Sequence, residues 1–195
     1  VIRYMAGQPL QFAPGSATEY SNFGYCLLGR VIEKASGKKY IDYLQSDITQ
    51  PIGATSIQLG RSLKGPRNPK EPIYIDQNFD RNVFAPSSKV LVASPDGGFH
   101  LEAMDAHGGL VASAPDLTKF LNSYWMNGQP RKTGQTGSWA FFGSLPGTHT
   151  LVVQRNDGVN FAVLFNQRTD PSGLNYDDIR SMLDKATDSI RAWPK

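Results

Sequence analysis

Cysteine is nearly absent: Cys26 is the only one in 195 residues. That excludes an internal disulfide and any zinc site built on two thiolates. Within its apolar run Cys26 reads as a small core residue. Histidine is scarce as well, with His100, His107 and His149 far apart in the chain. They lack ligand spacing even with Asp96 or Asp105 nearby, so no metal and no cofactor is expected. No apolar run reaches the roughly 18 residues a bilayer span needs, and no membrane span is expected. The opening VIRYMAG lacks the shape of a secretory signal. Val1 stands where a methionine would begin a gene product, as expected of a segment downstream of a signal or of a longer polypeptide. The net charge is +3 with a pI near 9.0. The 20 basic and 17 acidic residues are nonetheless interspersed. With no block of about five or six like charges, nucleic acid is not an expected partner.

What is present suits one loop-rich globule. The length fits a single core, and 19 Gly and 13 Pro mark many turns. From Phe23 to Ala35 the residues Gly24, Leu28, Val31, Ile32 and Ala35 form a helical stripe that Gly37 stops. A second helix is expected from Tyr40 to Ile48, with Pro51 barring extension. Residues 60–98 are proline-studded and read as a long excursion with one short strand at Pro72–Ile75. Arg61, Lys64, Arg67 and Lys70 within it read as a solvated surface, with attraction of an anionic substrate as the alternative. Ser113 and Asp116 suggest a capping box ahead of a helix striped by Leu117, Phe120, Leu121 and Tyr124. Beyond Gly128 the period changes to 2, and Asp157-Gly158 between THTLVVQR and NFAVLFNQ predicts a hairpin. Ile179, Met182, Leu183, Ala186 and Ile190 stripe a C-terminal helix.

The stretch PGSATEYSNFGY, Pro14 to Tyr25, places Tyr20, Ser21 and Asn22 directly before the first long helix. Taken alone it is a helix start, with Asn22 as N-cap, Ser21 and Gly15 in the turn and Tyr20 packing. The other reading presents a phenol and an amide to a substrate. In its wider context, Phe12 to Ile57, the stretch resembles the second-motif region of the penicillin-recognising serine hydrolases. These include class C β-lactamases, D-alanyl-D-alanine carboxypeptidases, D-aminopeptidases and family VIII esterases. HGGLVASAPDLTKFL, FFGSLPGTHTLVV, the hairpin and the last helix continue the likeness in the same order.

The resemblance implies an α+β, β-lactamase-like fold, of which residues 1–195 would be the C-terminal portion. Residues 1–130 would be mainly helical lobe and loops, and 131–195 the hairpin region and C-terminal helix. It implies Tyr20 as acid/base and Asn22 as positioning group. In such a site a serine is activated by a lysine one helical turn away, tyrosine relays its proton, and a strand amide binds the oxyanion. By the same likeness GSLPG places Phe141, Phe142, Gly143 and Ser144 as the substrate-binding strand, with Phe141 where Lys or His is expected. Lys132, in a literal Lys-Thr-Gly at 132–134, is the alternative third motif. The cation that would stabilise a phenoxide is therefore missing from the favoured alignment.

The nucleophile's Ser-x-x-Lys is missing too. Only 19 residues precede Tyr20, and the sole such string, Ser36 to Lys39, falls at a helix stop. His107-Gly108-Gly109 resembles an oxyanion loop of α/β-hydrolases, yet no Gly-x-Ser-x-Gly accompanies it. His149 is expected on the exposed face of a strand. Three expectations result. The chain is part of a serine hydrolase acting on a small-molecule ester, amide or β-lactam; or it is a catalytically silent relative that binds a ligand or protein; or a separate N-terminal chain or a homo-oligomer supplies the missing part. The resemblance favours a periplasmic or secreted setting in a bacterial envelope.

Overall fold

The computed structural model describes residues 1–125 and 137–192. A short helix α1 (Ile2–Ala6) buries none of its residues. Helix α2 (Asn22–Ser36) starts where Ser21, in extended conformation, accepts the Gly24 N–H on Oγ at 3.1 Å. It ends at Gly37, whose φ of 71° lets its N–H return to the Glu33 carbonyl. The expected apolar stripe exists but points outward, leaving Leu28 57 % and Val31 54 % exposed. Packing uses another face, where Gly29 sits so close to Ala106 that a Cβ would overlap the alanine methyl.

Helix α3 (Tyr40–Tyr43) is shorter than the expected 40–48 helix, because the chain widens into a π turn over Leu44–Thr49. Pro51 does not simply stop it. It starts a 3-10 turn, Gln50–Ile52, where a missing N–H costs nothing. Strand β1 (Gln58–Leu59) leads into the excursion, whose strands are β2 (Phe79–Arg81) and β3 (Leu91–Ala93), paired antiparallel. The strand expected at Pro72–Ile75 reduces to one parallel bridge, Ile75 to Gln167. Asp76 turns the chain there by accepting the Asn78 N–H at 2.8 Å.

The basic series is not uniformly solvated. The Arg67 side chain is only 9 % exposed and pairs with Asp96 at 2.7 Å. Its guanidinium also donates to the carbonyls of Arg61, Ser62 and Pro95 and lies over the Tyr74 ring at 5.1 Å. Arg67 is thus a structural tie through the excursion.

After a 3-10 segment, Leu101–His107, strand β4 (Leu110–Val111) pairs with β1. Helix α4 (Ala114–Ser123) follows. Ser113 Oγ accepts the Asp116 N–H at 3.3 Å, but the capping box is only half made. The Asp116 carboxylate instead takes the Ser56 N–H at 2.7 Å and the Lys119 ammonium at 2.6 Å, tying α4 to the loop before β1.

The main sheet is antiparallel, in the order β5 (Trp139–Leu145), β6 (Thr148–Gln154), β7 (Asn160–Phe165). The Asp-Gly turn forms as expected, with Gly158 at φ 92°. Helix α4 covers one face, where the buried Gln154 amide donates to the Leu121 and Tyr124 carbonyls at 2.6 Å each. Helix α5 (Asp178–Ser189) and Tyr176 lie on the other. There the Phe165 and Tyr176 rings stack at 4.2 Å, and Arg155 gathers Asp157, Asp184 and Asp188. Leu121, Trp125, Leu151 and Val153 form the core between the layers. No described helix is long and apolar enough to cross a membrane.

Substituting Gly29 by Val is expected to force α2 off Ala106 and cost about 2 kcal/mol, measured by urea unfolding; an unchanged midpoint would rule out this contact as the seat of α2. Lys119 first, then the Ser56 N–H, hold the Asp116 carboxyl down at about 2. A folded-state value below the unfolded one means the contribution is complete above about pH 4 and is lost as pH falls through about 2. Thermal melts between pH 5 and 2 should show a decline that Asp116→Asn flattens.

Candidate functional site

Because Ser21 serves as the N-cap, Asn22 is the first helical residue rather than the cap expected of the tripeptide alone. Its side chain is thereby released from backbone duty. Asn22 Oδ1 accepts a hydrogen bond from the Tyr20 hydroxyl at 3.0 Å. Tyr20 does not pack inward: it is 66 % exposed, with its ring 5.7 Å from that of Tyr25. Phenol and amide are thus coupled and presented together at the start of α2. Cys26, one turn further along, is half-buried rather than a core residue.

The helix is seated by the 101–107 segment. Arg30 pairs with Asp105 and, at 3.3 Å, with Glu33. Burial first, then the Asp105 charge, raise the Tyr40 phenol above its usual range. At its far end the segment turns through Gly108, at φ 134°. A Cβ added at Gly108 would come within 3.9 Å of Leu145 Cδ1 on β5. The segment thus packs against α2 and ends near the edge strand. His107 lies in this segment, and its Nδ1 is buried with no hydrogen-bond partner among the described residues.

Phe141, Phe142, Gly143 and Ser144 all lie on β5, an edge strand. Register and the two-residue period divide them: Phe141 and Gly143 share the α4 face, Phe142 and Ser144 the α5 face. Lys132 lies outside the described residues. His149 departs from expectation. Its side chain is 12 % exposed, set between the Phe142 ring at 6.0 Å and the Tyr176 ring at 5.3 Å. It pairs with Ser144 across the ladder on the covered face, which is why it is not solvated.

Reasoning from sequence missed Arg168. Three residues past the end of β7, it reaches over His149 and donates from Nε to Ser144 Oγ at 3.0 Å. Its only sequence signal is a long cation just beyond a strand end. Together with His149, Leu174, Tyr176 and Asp177 it lines a cavity of about 300 Å³. Ser36 to Lys39 is a helix stop as expected, with Ser36 Oγ accepting the Lys38 N–H at 3.2 Å. Among the described residues no group of three or more His, Cys, Asp and Glu could hold a metal ion.

A profile of the Beta-lactamase family matches residues 1–183. The chain belongs to the Beta-lactamase family. The mitochondrial serine beta-lactamase-like protein LACTB of Mus musculus is 34 % identical over 124 residues, which are 63 % of this chain and 20 % of that protein. The D-alanyl-D-alanine-carboxypeptidase/endopeptidase AmpH of Escherichia coli K12 is 39 % identical over 51 residues, 26 % of this chain and 13 % of that one. Among solved structures, the D-amino acid amidase of Ochrobactrum anthropi SV3 superposes with a TM-score of 0.65 at 20 % identity. That match covers 96 % of this chain and 63 % of the amidase. The α+β, β-lactamase-like architecture is therefore shown, while the chain spans only a fraction of these relatives' lengths.

Cap and presented group separate by substitution. Ser21→Ala should cost about 1 kcal/mol of stability, whereas Asn22→Ala should leave the urea midpoint within about 0.5 kcal/mol of the native value. A larger loss at Asn22 than at Ser21 would return the asparagine to a structural role.

Proposed function

We propose that this chain is part of a β-lactamase-like serine hydrolase that cleaves an ester, amide or β-lactam through an acyl-enzyme, with the nucleophilic serine lying outside these 195 residues. The observation that carries the reading is the Tyr20 hydroxyl hydrogen-bonded to Asn22 on an exposed helix start where Ser21 has taken over the cap. In this reading the serine oxygen attacks the carbonyl carbon and its proton passes by way of the Tyr20 oxygen to the leaving group. Asn22 fixes that oxygen and the substrate amide. A backbone N–H of β5 near Ser144 steadies the oxyanion.

One feature supports docking of a further segment or chain: Leu27, Leu28 and Val31 lie exposed along α2. A segment of a longer polypeptide, a separate N-terminal chain or a second copy would each meet that need. The penicillin-binding protein homologue of Pyrococcus abyssi is octameric, an assembly that belongs to that protein. A periplasmic or secreted setting belongs to the same proposal.

One observation favours a second reading, a silent relative that binds without turnover: Phe141 stands at the position where the resemblance expects a cation. The two are separated by combining the chain with the polypeptide encoded upstream of Val1 and adding a chromogenic ester, a chromogenic β-lactam and a fluorophosphonate. Turnover with serine labelling is expected, and Tyr20→Phe should lower turnover at least about a hundredfold. Neither turnover nor labelling in the combined sample would sink the hydrolase and leave the silent relative.

A further inference from the structure

The seven residues of β5, WAFFGSL, contain no charge, and three are aromatic. Trp139, Phe141 and Phe142 are 40 %, 46 % and 42 % exposed. Trp139, Phe141 and Gly143 alternate onto one face of the strand, with Phe142 on the other. Gly143 leaves bare backbone beside the Phe141 ring; a Cβ there would approach Thr150 Oγ1 to 2.6 Å, so no larger residue fits without a shift. The described cation reaching this strand is Arg168. It meets Ser144 on the opposite face and gives its Nε–H to the hydroxyl.

We infer that the Trp139–Phe141–Gly143 face of β5 selects an uncharged aryl or acyl group, with Phe141 as the specificity-determining residue, against substrates that bring a carboxylate to the same place. This rests on the hydrolase reading for the direction from which substrate comes, and it names that substrate's class. The physical reason is the ring. An aromatic face carries the negative part of its quadrupole outward, so it attracts apolar and aromatic groups and repels an anion. A carboxylate placed there would shed water with no counterion on the strand to replace it. A neutral ester or amide loses far less, and its carbonyl and N–H can use the edge groups of the strand backbone.

The test uses the 195-residue chain in solution, with amide and aromatic NMR shifts as readout. The probes are N-acetylphenylalanine methyl ester and N-acetylphenylalanine carboxylate. The ester is expected to shift Phe141 and Gly143 and to bind at least about fivefold more tightly than the carboxylate, the scale of one exposed charge interaction. Phe141→Lys should bring that ratio to parity or below, while Phe141→Leu, which stays apolar but removes the ring, should narrow it without reversing it. Trp139→Lys, on the same face, is the second variant should Phe141→Lys lose its fold by circular dichroism. Equal binding of both probes, no binding of either, shifts confined to other surfaces, or a ratio unmoved by the folded lysine variant would overturn the inference. Its fate is separate from that of the hydrolase reading: ester preference without serine labelling in the combined enzyme defeats only the latter, and labelling without preference defeats only the former.

Discussion

The absence of a side chain at Gly29 lets α2 close on Ala106, and that approach sets where the helix start with Tyr20 and Asn22 stands. It brings Arg30 onto Asp105 and fixes α2 against the 101–107 segment. The same segment ends at Gly108, near Leu145 of β5. The helix start bearing Tyr20 and Asn22 is thus seated on one short, glycine-terminated segment. A side chain at Gly29 would push the helix away, because the neighbouring methyl belongs to Ala106 of that segment.

Polar ties carry much of the remaining order. Buried apolar side chains are few, with Leu121, Trp125, Leu151 and Val153 around the sheet and Ala54 and Ile57 beneath α4. The excursion from 60 to 98 is held instead by Arg67 with Asp96, by Ser62 with Glu102 and by Ser94 with Asp80. Asp76 reaches from it to the Gly147 N–H at 2.7 Å, fastening it to the turn between β5 and β6. Breaking one member of such a set leaves a partner desolvated and unmatched, which costs more than the intact bond contributes. The apolar surface that helps least is the outer stripe of α2, whose burial awaits another partner in the proposal above.

Local signals were legible wherever one residue type suffices for one geometry. Gly37 in the left-handed region, the Asp-Gly turn, the Ser113 cap and the two-residue period of the sheet all depend on near neighbours. The Tyr20–Asn22 pair was legible as a motif but ambiguous in role, because either Ser21 or Asn22 can cap a helix. Side chains whose fate depends on distant partners were misjudged. Arg67 looked solvated and is enclosed; His149 looked exposed and lies between two rings; Leu28 looked buried and is open. Arg168 carried no local signal, since the contact that defines it crosses two strands.

By itself the sequence determined the helix starts and stops, the hairpin, the uncharged aromatic make-up of β5 and the likeness to a family, because these depend on residue identity and spacing of a few positions. Tertiary structure decided which face of α2 packs, that Ser21 takes the cap and so releases the Asn22 amide, and that the 101–107 segment seats that helix. Those outcomes depend on how close two backbones can come and on which polar atoms are left to satisfy one another, and both are properties of contacts between residues far apart in the chain.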